Sequence, residues 1–391
     1  MNIGLYCNWG IIEYNNDFYI KSIHKNYIEA FKEHSDKLYI LSKVKKTNLI
    51  KEYVKIDISN VYIIGIPWFN GYIQSIKYFF NILFSIYNLY KKSDFIYIRV
   101  PEPFCWFFAF LNFFKNKKIH YHYVSFPIEV INSYTGIKKI LKKILYYPEY
   151  YLTAIAAFFN KSSCLGEKGR KKLPLILSKK IVPLYESSYR KNDIPLKKYS
   201  YISKENIIKF LYVGRITDGK GIDELIESIY LFSKNTNYNF CFSIVGEGNL
   251  VEKMLKDIEK YKINNIVKYM GYIDFGYELK KIYSMHDVIV LPSYSEGCSR
   301  VLLEGALNSL FVVSTDVGCA RDIFCNGNSC NCILTKVGSV EDLVDAYQYI
   351  FENKNLVNDK ANNGASIAKQ ITLDDFVNKI LNINKVKLNN E

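Results

Sequence analysis

The chain has 391 residues, 49% of them hydrophobic and 23% charged, ordinary globular values that exclude a disordered or fibrous protein. That length calls for two domains rather than a single core. Fifty-two basic residues against 38 acidic ones give a formal charge of +14, which points to an anionic partner: a nucleotide, a phospholipid surface or a nucleic acid.

Nucleic acid is not expected, because no zinc-finger spacing or aromatic RNA-binding signature occurs and the lysines run along the whole chain. Nine cysteines is an odd number, and Cys325, Cys330 and Cys332 fit no zinc pattern, so reduced and mostly buried thiols are expected. The first residues read as a strand running into a loop rather than a leader, and a cytoplasmic protein is expected. The apolar run at 104–114 is short of the ~20 residues that cross a bilayer and reads as a buried helix.

In chain order, strands are predicted at 3–6, 38–41, 62–66, 95–99 and 119–123, with helical patterns between them such as 72–90. At 137–160, Lys138, Lys139, Lys142 and Lys143 alternate with Ile140, Leu141, Ile144 and Leu145, followed by Tyr- and Phe-rich sequence. Such a segment is either a packed helix with a solvated edge or a helix lying on an anionic membrane. The stretch 184–206, with Pro195 and little periodicity, marks a boundary. Strands resume at 209–213, 240–245, 267–269, 288–291 and 311–314. The expected class is α/β, with two Rossmann-like, doubly wound domains facing a cleft. The first domain spans 1–190 and the second 205–370, and a C-terminal helix at 371–391 crosses back to the first.

Ligands of such sheets bind at the carboxyl ends of strands, where loops hand over to helices. The loop after 209–213 carries Gly214, Arg215, Gly219, Lys220 and Gly221. Its glycines let backbone amides approach an anion, and Arg215 and Lys220 can neutralise two phosphates. Gly246 lies in a similar turn after the next strand. After 288–291 comes Glu296, then Gly297, Cys298 and Ser299, and eight residues beyond Glu296 comes Glu304 on a helix beginning near Ser299. A carboxylate accepts paired hydrogen bonds from vicinal hydroxyls, so Glu304 suits a ribose and Glu296 a hexose. The amides of Gly297, Cys298 and Ser299 suit the phosphates between them.

The two glutamates after a strand, the upstream Gly-Arg-x4-Lys-Gly loop, and the stretches 267–274 and 311–322 occur in the order that resembles glycosyltransferase family 4, also called glycosyl transferases group 1. The resemblance covers about 209–334. It implies the two-domain GT-B fold and transfer, with retention of configuration, from a nucleoside-diphosphate sugar to a saccharide or lipid-linked acceptor. It places Glu304 on ribose, Glu296 on the donor sugar, and Arg215 with Lys220 on the diphosphate. The family most often assembles surface polysaccharides such as capsule or lipopolysaccharide. No Asp-x-Asp motif accompanies the donor residues, so a metal-independent reaction with no cofactor beyond the nucleotide sugar is expected.

The first domain departs from the family's pattern. Relatives often have a histidine where Arg99 stands and His-Asp where this chain has His122 and Tyr123, and the glycine-rich first loop is reduced to Asn8, Trp9 and Gly10. His122 is a candidate to contact the donor sugar or guide the acceptor, and Arg99 to meet an acceptor phosphate or Glu102. Two other readings stand beside the transferase: a nucleotide-sugar 2-epimerase of the same fold and a non-catalytic nucleotide- or glycan-binding subunit. A nicotinamide enzyme is disfavoured, since no Gly-x-Gly-x-x-Gly follows the first strand.

Overall fold

The computed structural model describes residues 1–48, 50, 53–132, 136–195, 202 and 207–386. The expected boundary at 184–206 therefore falls in part, at 196–201 and 203–206, outside the described residues. Two compact units form: Met1–Tyr185 together with Leu373–Glu391, and Glu186–Thr372.

The first unit is built on β1 (Asn2–Tyr6), β2 (Ile11–Tyr14), β3 (Asp17–Ile20), β4 (Lys37–Lys46), β5 (Val54–Lys55), β6 (Val61–Ile66), β7 (Phe95–Val100), β8 (Lys118–Tyr123), β9 (Lys161–Leu165) and β10 (Val182–Leu184). The parallel strands run in the order β10-β9-β8-β7-β1-β4, with β6 also on β4. β1 and β7 are buried almost throughout, as strands covered by helices on both faces must be. Chain direction across the sheet reverses between β1 and β7, which is its topological switch point. At the far end of β4, β2 pairs with it in parallel, and β3 and β5 extend the sheet through antiparallel pairings.

One face of this sheet is covered by the helices Ser22–Lys32 and Leu373–Ile383, whose Tyr27, Phe31, Phe376 and Ile380 share a core with Ile3 and Leu5. The last helix is amphipathic, and its buried Leu373, Phe376, Val377, Ile380 and Leu381 recur at helical spacing. On the other face, Ile82, Ile86, Phe108, Ala157 and Leu177 pack with Tyr6 and Leu41.

Two expectations are corrected here. The pattern at 72–90 is interrupted: a turn of helix at Tyr72–Ser75 and a 3-10 segment at Ile76–Tyr78 precede the helix Phe79–Lys92. The apolar run 104–114 forms only a five-residue helix, Phe107–Leu111, which is long enough to turn Phe108 inward but leaves Phe110, Phe113 and Phe114 exposed.

The second unit contains six parallel strands: β11 (Ile208–Val213), β12 (Phe240–Val245), β13 (Val267–Tyr269), β14 (Val288–Leu291), β15 (Phe311–Thr315) and β18 (Cys332–Thr335). A two-stranded hairpin of β16 (Cys325–Asn326) and β17 (Ser329–Cys330) precedes β18. The order β13-β12-β11-β14-β15-β18 is the doubly wound arrangement, with its switch point between β11 and β14. Phe210, Phe242 and Tyr347 anchor the core, the two phenylalanines stacked at 4.5 Å across β11 and β12.

Candidate functional site

The loops that follow β11 and β14 flank the switch point of the second unit and hold most of the residues singled out from the sequence. Lys220 Nζ donates to Glu296 Oε1 at 2.6 Å, with only 17% and 15% of the two side chains exposed. Residues 76 apart in sequence are thus joined by a charge-assisted hydrogen bond. The Tyr294 amide donates to the Gly219 carbonyl at 2.9 Å and ties the two loops together. Gly221, at φ +67°, precedes the helix Ile222–Asn235, and a Cβ there would stand 2.1 Å from the Pro292 carbonyl oxygen. Only glycine lets the backbones touch.

Gly246 makes the same kind of approach to the β11 loop, since a Cβ at its φ of +150° would lie 1.8 Å from the Gly214 carbonyl oxygen. The Gly214 amide donates to the Val245 carbonyl at 3.0 Å, so Gly214 and Gly246 serve mainly to pack adjacent strand ends. The Arg215 carbonyl accepts from the Tyr212 hydroxyl at 2.8 Å. Its guanidinium is exposed and forms no ion pair among the described residues.

The helix Arg300–Leu307 starts at the end of the β14 loop. Ser299 is its N-cap but makes no side-chain capping bond, and the amides that open the helix remain available to an anion. Gly297 and Cys298 lead into this turn. Arg300, which sequence reasoning did not single out, has its Nη1 buried without a hydrogen-bond partner among the described residues, which adds a cation to the same turn.

Glu304 is 4% exposed, and its Oε2 accepts from the Tyr283 hydroxyl at 2.8 Å. Burial, reinforced by the neighbouring carboxylate, holds the Tyr283 hydroxyl well above its ordinary pKa, so it stays a donor. Burial first and Glu304 second also raise the Tyr189 hydroxyl, to which Asn308 Nδ2 donates at 3.1 Å. Among the described residues no donor reaches Glu304 Oε1, leaving one carboxylate oxygen for a ligand. Nothing in the local pattern marks Tyr283 or Tyr189, which reach Glu304 from other elements.

The cysteines differ from expectation. Cys298 is joined to Cys319 and Cys325 to Cys330 by disulfides, leaving Cys7, Cys105, Cys164, Cys241 and Cys332 as free thiols. β14 and β15 are neighbours, which brings the loops after them side by side and the first pair's Cα atoms to 5.1 Å. The second pair faces itself across the β16–β17 hairpin.

In the first unit, His122 is a correction. It is completely buried, with Nδ1 2.7 Å from Ser163 Oγ and its ring 4.9 Å from Phe376. It sits in the core of the first unit, between β9 and the helix Leu373–Ile383. His120 shares the same Ser163 hydroxyl, and burial followed by the charge of His122 pushes its pKa well down. The Arg99 guanidinium sits over the Tyr27 ring at 5.0 Å.

Glu102 occupies the switch point of this unit. Its Oε1 accepts from the Asn8 amide at 2.5 Å, while Oε2 is buried with no hydrogen-bond partner among the described residues. Burial raises its pKa well above the usual range, against the opposing pull of the Asn8 amide, Arg99 and Lys43. Glu102 lines a small, solvent-connected pocket with Tyr123, Phe126, Tyr146 and Glu149. Glu149 is pushed up to about 7 by burial, although Trp106, the Phe104 amide and Tyr72 all donate to it. The Tyr123 hydroxyl, standing where relatives carry Asp, is buried with no hydrogen-bond partner among the described residues.

Residues 194–367 match the family of glycosyl transferases group 1. An uncharacterised glycosyltransferase of Methanocaldococcus jannaschii is 25% identical over 291 residues, 71% of each chain. A 41.2 kDa protein from the cps region of Klebsiella pneumoniae is 25% identical over 264 residues, covering 63% of this chain and 67% of that one. Among solved structures, HepE of Anabaena in complex with UDP and glucose superposes with a TM-score of 0.66 at 14% identity, over 98% and 97% of the two chains. The lipopolysaccharide outer core galactosyltransferase WaaB gives a TM-score of 0.63 at 14% identity, over 98% and 99%. At these identities the structures establish the α/β fold of two parallel-sheet units, as the sequence led us to expect.

Proposed function

We propose that this chain, whose residues 194–367 carry the glycosyl transferases group 1 match, transfers a sugar, with retention, from a nucleoside-diphosphate sugar to a saccharide or lipid-linked acceptor. One observation carries the reading. At a single switch point, Lys220 and Glu296 are paired at 2.6 Å, and Glu304 sits on the helix that begins between the two glutamates. A nucleoside-diphosphate sugar needs those three chemistries in that order.

In this reading Glu304 Oε1 accepts from the ribose, and the helix amides at Gly297, Cys298 and Ser299 face the diphosphate. Lys220 and Arg215 neutralise the charge that builds as the C1–O bond breaks. Glu296 exchanges its Lys220 partner for hydroxyls of the donor sugar. The acceptor oxygen attacks C1 on the face the diphosphate leaves, and its proton passes to a departing phosphate oxygen. The side chains supply position and charge, with no covalent intermediate.

The cps-region relative and the lipopolysaccharide galactosyltransferase support a role in bacterial surface polysaccharide assembly, at the cytoplasmic face of the cell membrane. A second reading, a non-catalytic nucleotide-binding subunit, draws on the burial of His122 and the replacement by Tyr123. Thermal shifts of the wild type and Glu304→Gln with UDP, GDP and ADP separate the outcomes when paired with a transfer assay. A stabilisation by one nucleotide that is reduced in the variant, with turnover of the matching sugar nucleotide, is expected. Binding without turnover would favour the subunit, conversion of donor without any acceptor would indicate an epimerase, and no shift with any nucleotide would refute the site.

A further inference from the structure

We propose that the helical layer on one face of the first unit is a docking surface for an anionic lipid bilayer. Four helices make the layer: Phe79–Lys92, Phe107–Leu111, Gly136–Phe159 and Leu175–Ser178. The first packs on the second, the second on the third, and the third on the fourth. Their inward residues, Ile86, Phe108, Ala157 and Leu177 among them, fill the core.

Their outward residues are apolar as well. With the whole chain present, Phe80 is 82% exposed, Phe110 70%, Ile137 75% and Leu175 72%, and Phe114, in the turn just past the second helix, is 92% exposed. A surface helix of a globular domain turns polar residues outward, and a soluble monomer seldom exposes large apolar groups on successive neighbouring helices.

Charge accompanies this surface. Residues 79–180, which include the strands beneath the layer, hold seventeen Lys and Arg against five Asp and Glu, a net +12 of the chain's +14; of these, Arg99 over the Tyr27 ring and Lys118 on the Lys385 carbonyl belong to the opposite face. Lysines run along the whole chain, but the excess does not. Two of the five acidic residues, Glu102 and Glu149, are buried, so the exposed balance is more basic still.

Cations alone would suit a nucleic acid equally. Isoleucine and leucine at 137, 140, 144 and 175 offer bases no stacking surface and phosphates no contact. A bilayer interface takes both kinds of residue: Lys heads reach anionic headgroups while Phe, Ile and Leu enter the acyl boundary. Among the described residues no helix is long and apolar enough to cross a membrane, so the contact is interfacial. This deepens the transferase reading, on which it rests only for its consequence: an acceptor with a lipid tail would arrive in the plane of the membrane.

Co-sedimentation of the full chain with vesicles of phosphatidylcholine, with and without phosphatidylglycerol, tests the docking. The wild type should pellet with the anionic vesicles. Phe113→Ser combined with Phe114→Ser should cut partitioning at least about tenfold, and Lys142→Gln combined with Lys143→Gln roughly tenfold or more at low salt. Tyr277→Ser, an exposed aromatic of the second unit, should change nothing. Phe113, Phe114 and Tyr277 are exposed and Lys142 and Lys143 half-buried, and an unaltered melting temperature confirms folding. Failure to pellet with anionic vesicles, equal pelleting by every variant, or self-association abolished by the Phe substitutions without vesicle binding would overturn the proposal. Loss of the nucleotide response with docking intact would remove the transferase reading and leave the docking surface standing.

Discussion

Glu304→Gln is the most discriminating change at the donor site, because it keeps the shape and removes the charge. Glu304 Oε2 is held by the Tyr283 hydroxyl at 2.8 Å in a buried setting, and the amide oxygen of Gln can take over that bond. Truncation to Ala would instead strand the Tyr283 hydroxyl at a cost of about 1–3 kcal/mol, confusing binding with stability. A hydrogen bond to a charged acceptor contributes about 1.5–3 kcal/mol against about 1 kcal/mol for a neutral one, so the difference per ligand hydroxyl is about 1–1.5 kcal/mol. Titration calorimetry of the preferred nucleoside diphosphate should therefore show affinity about tenfold weaker in Glu304→Gln, with the melting temperature nearly unchanged. Tyr283→Phe frees Oε2 and should cost stability about 1 kcal/mol while weakening binding about fivefold or less. The double variant should fall short of the sum of the two effects, since the residues are in contact. Binding by Glu304→Gln within twofold of wild type would refute the assignment of this carboxylate to the ribose.

Lys220→Gln should weaken nucleoside-diphosphate binding roughly tenfold or more while leaving the free nucleoside's affinity unchanged, because only the phosphates meet the ammonium; equal losses for both ligands would exclude that role. Transfer activity should survive EDTA, and abolition that Mg²⁺ restores would sink the metal-independent mechanism. Titration of denatured but unreduced protein should find five thiols, and nine after reduction; nine at the outset would restore the reduced-thiol expectation. Glu149, lifted from 4.5 to about 7 by burial, keeps in the folded state a proton the unfolded chain loses. Stability should then fall as pH rises from about 4.5 to 7, by up to about 3 kcal/mol, and level off above. Glu149→Gln should flatten that slope in melting temperature, and an unchanged slope would exclude Glu149 as its source.

The second unit was readable because its chemistry is local in sequence. Each loop that matters lies between a buried apolar strand and an amphipathic helix, so spacing alone placed Lys220, Glu296 and Glu304 at strand ends. What spacing could not supply was the third dimension. Tyr283 meets Glu304 from another helix, and Cys319 meets Cys298 only because β14 and β15 are neighbours. In the first unit His122 shows the limit of the same method. A histidine near a strand's carboxyl end looks functional in one dimension, but β9 and the returning C-terminal helix close over it with Ser163 and Phe376. The outward phenylalanines were missed for a related reason: a run of apolar residues signals burial only if the helix is long enough to turn them inward.

Both units share the doubly wound strand order, yet only one switch point is prepared for an anion. In the first unit the Asn8 amide, the first free donor after β1, is already spent on the chain's own Glu102 at 2.5 Å. The nearby cations Lys43 and Arg99 offset that carboxylate rather than a ligand. In the second unit the corresponding loops keep glycine against backbone, leave the helix Arg300–Leu307 without a side-chain cap, and set Lys220 in a single partly exposed pair that a diphosphate can displace. A phosphate entering the first switch point would meet a buried carboxyl and a half-neutralised cation pair. One entering the second would meet open helix amides with Lys220, Arg215 and Arg300 beside them. The two units are alike in their doubly wound strand order, and the difference in charge at the two strand ends supports the proposal that the donor binds the second unit.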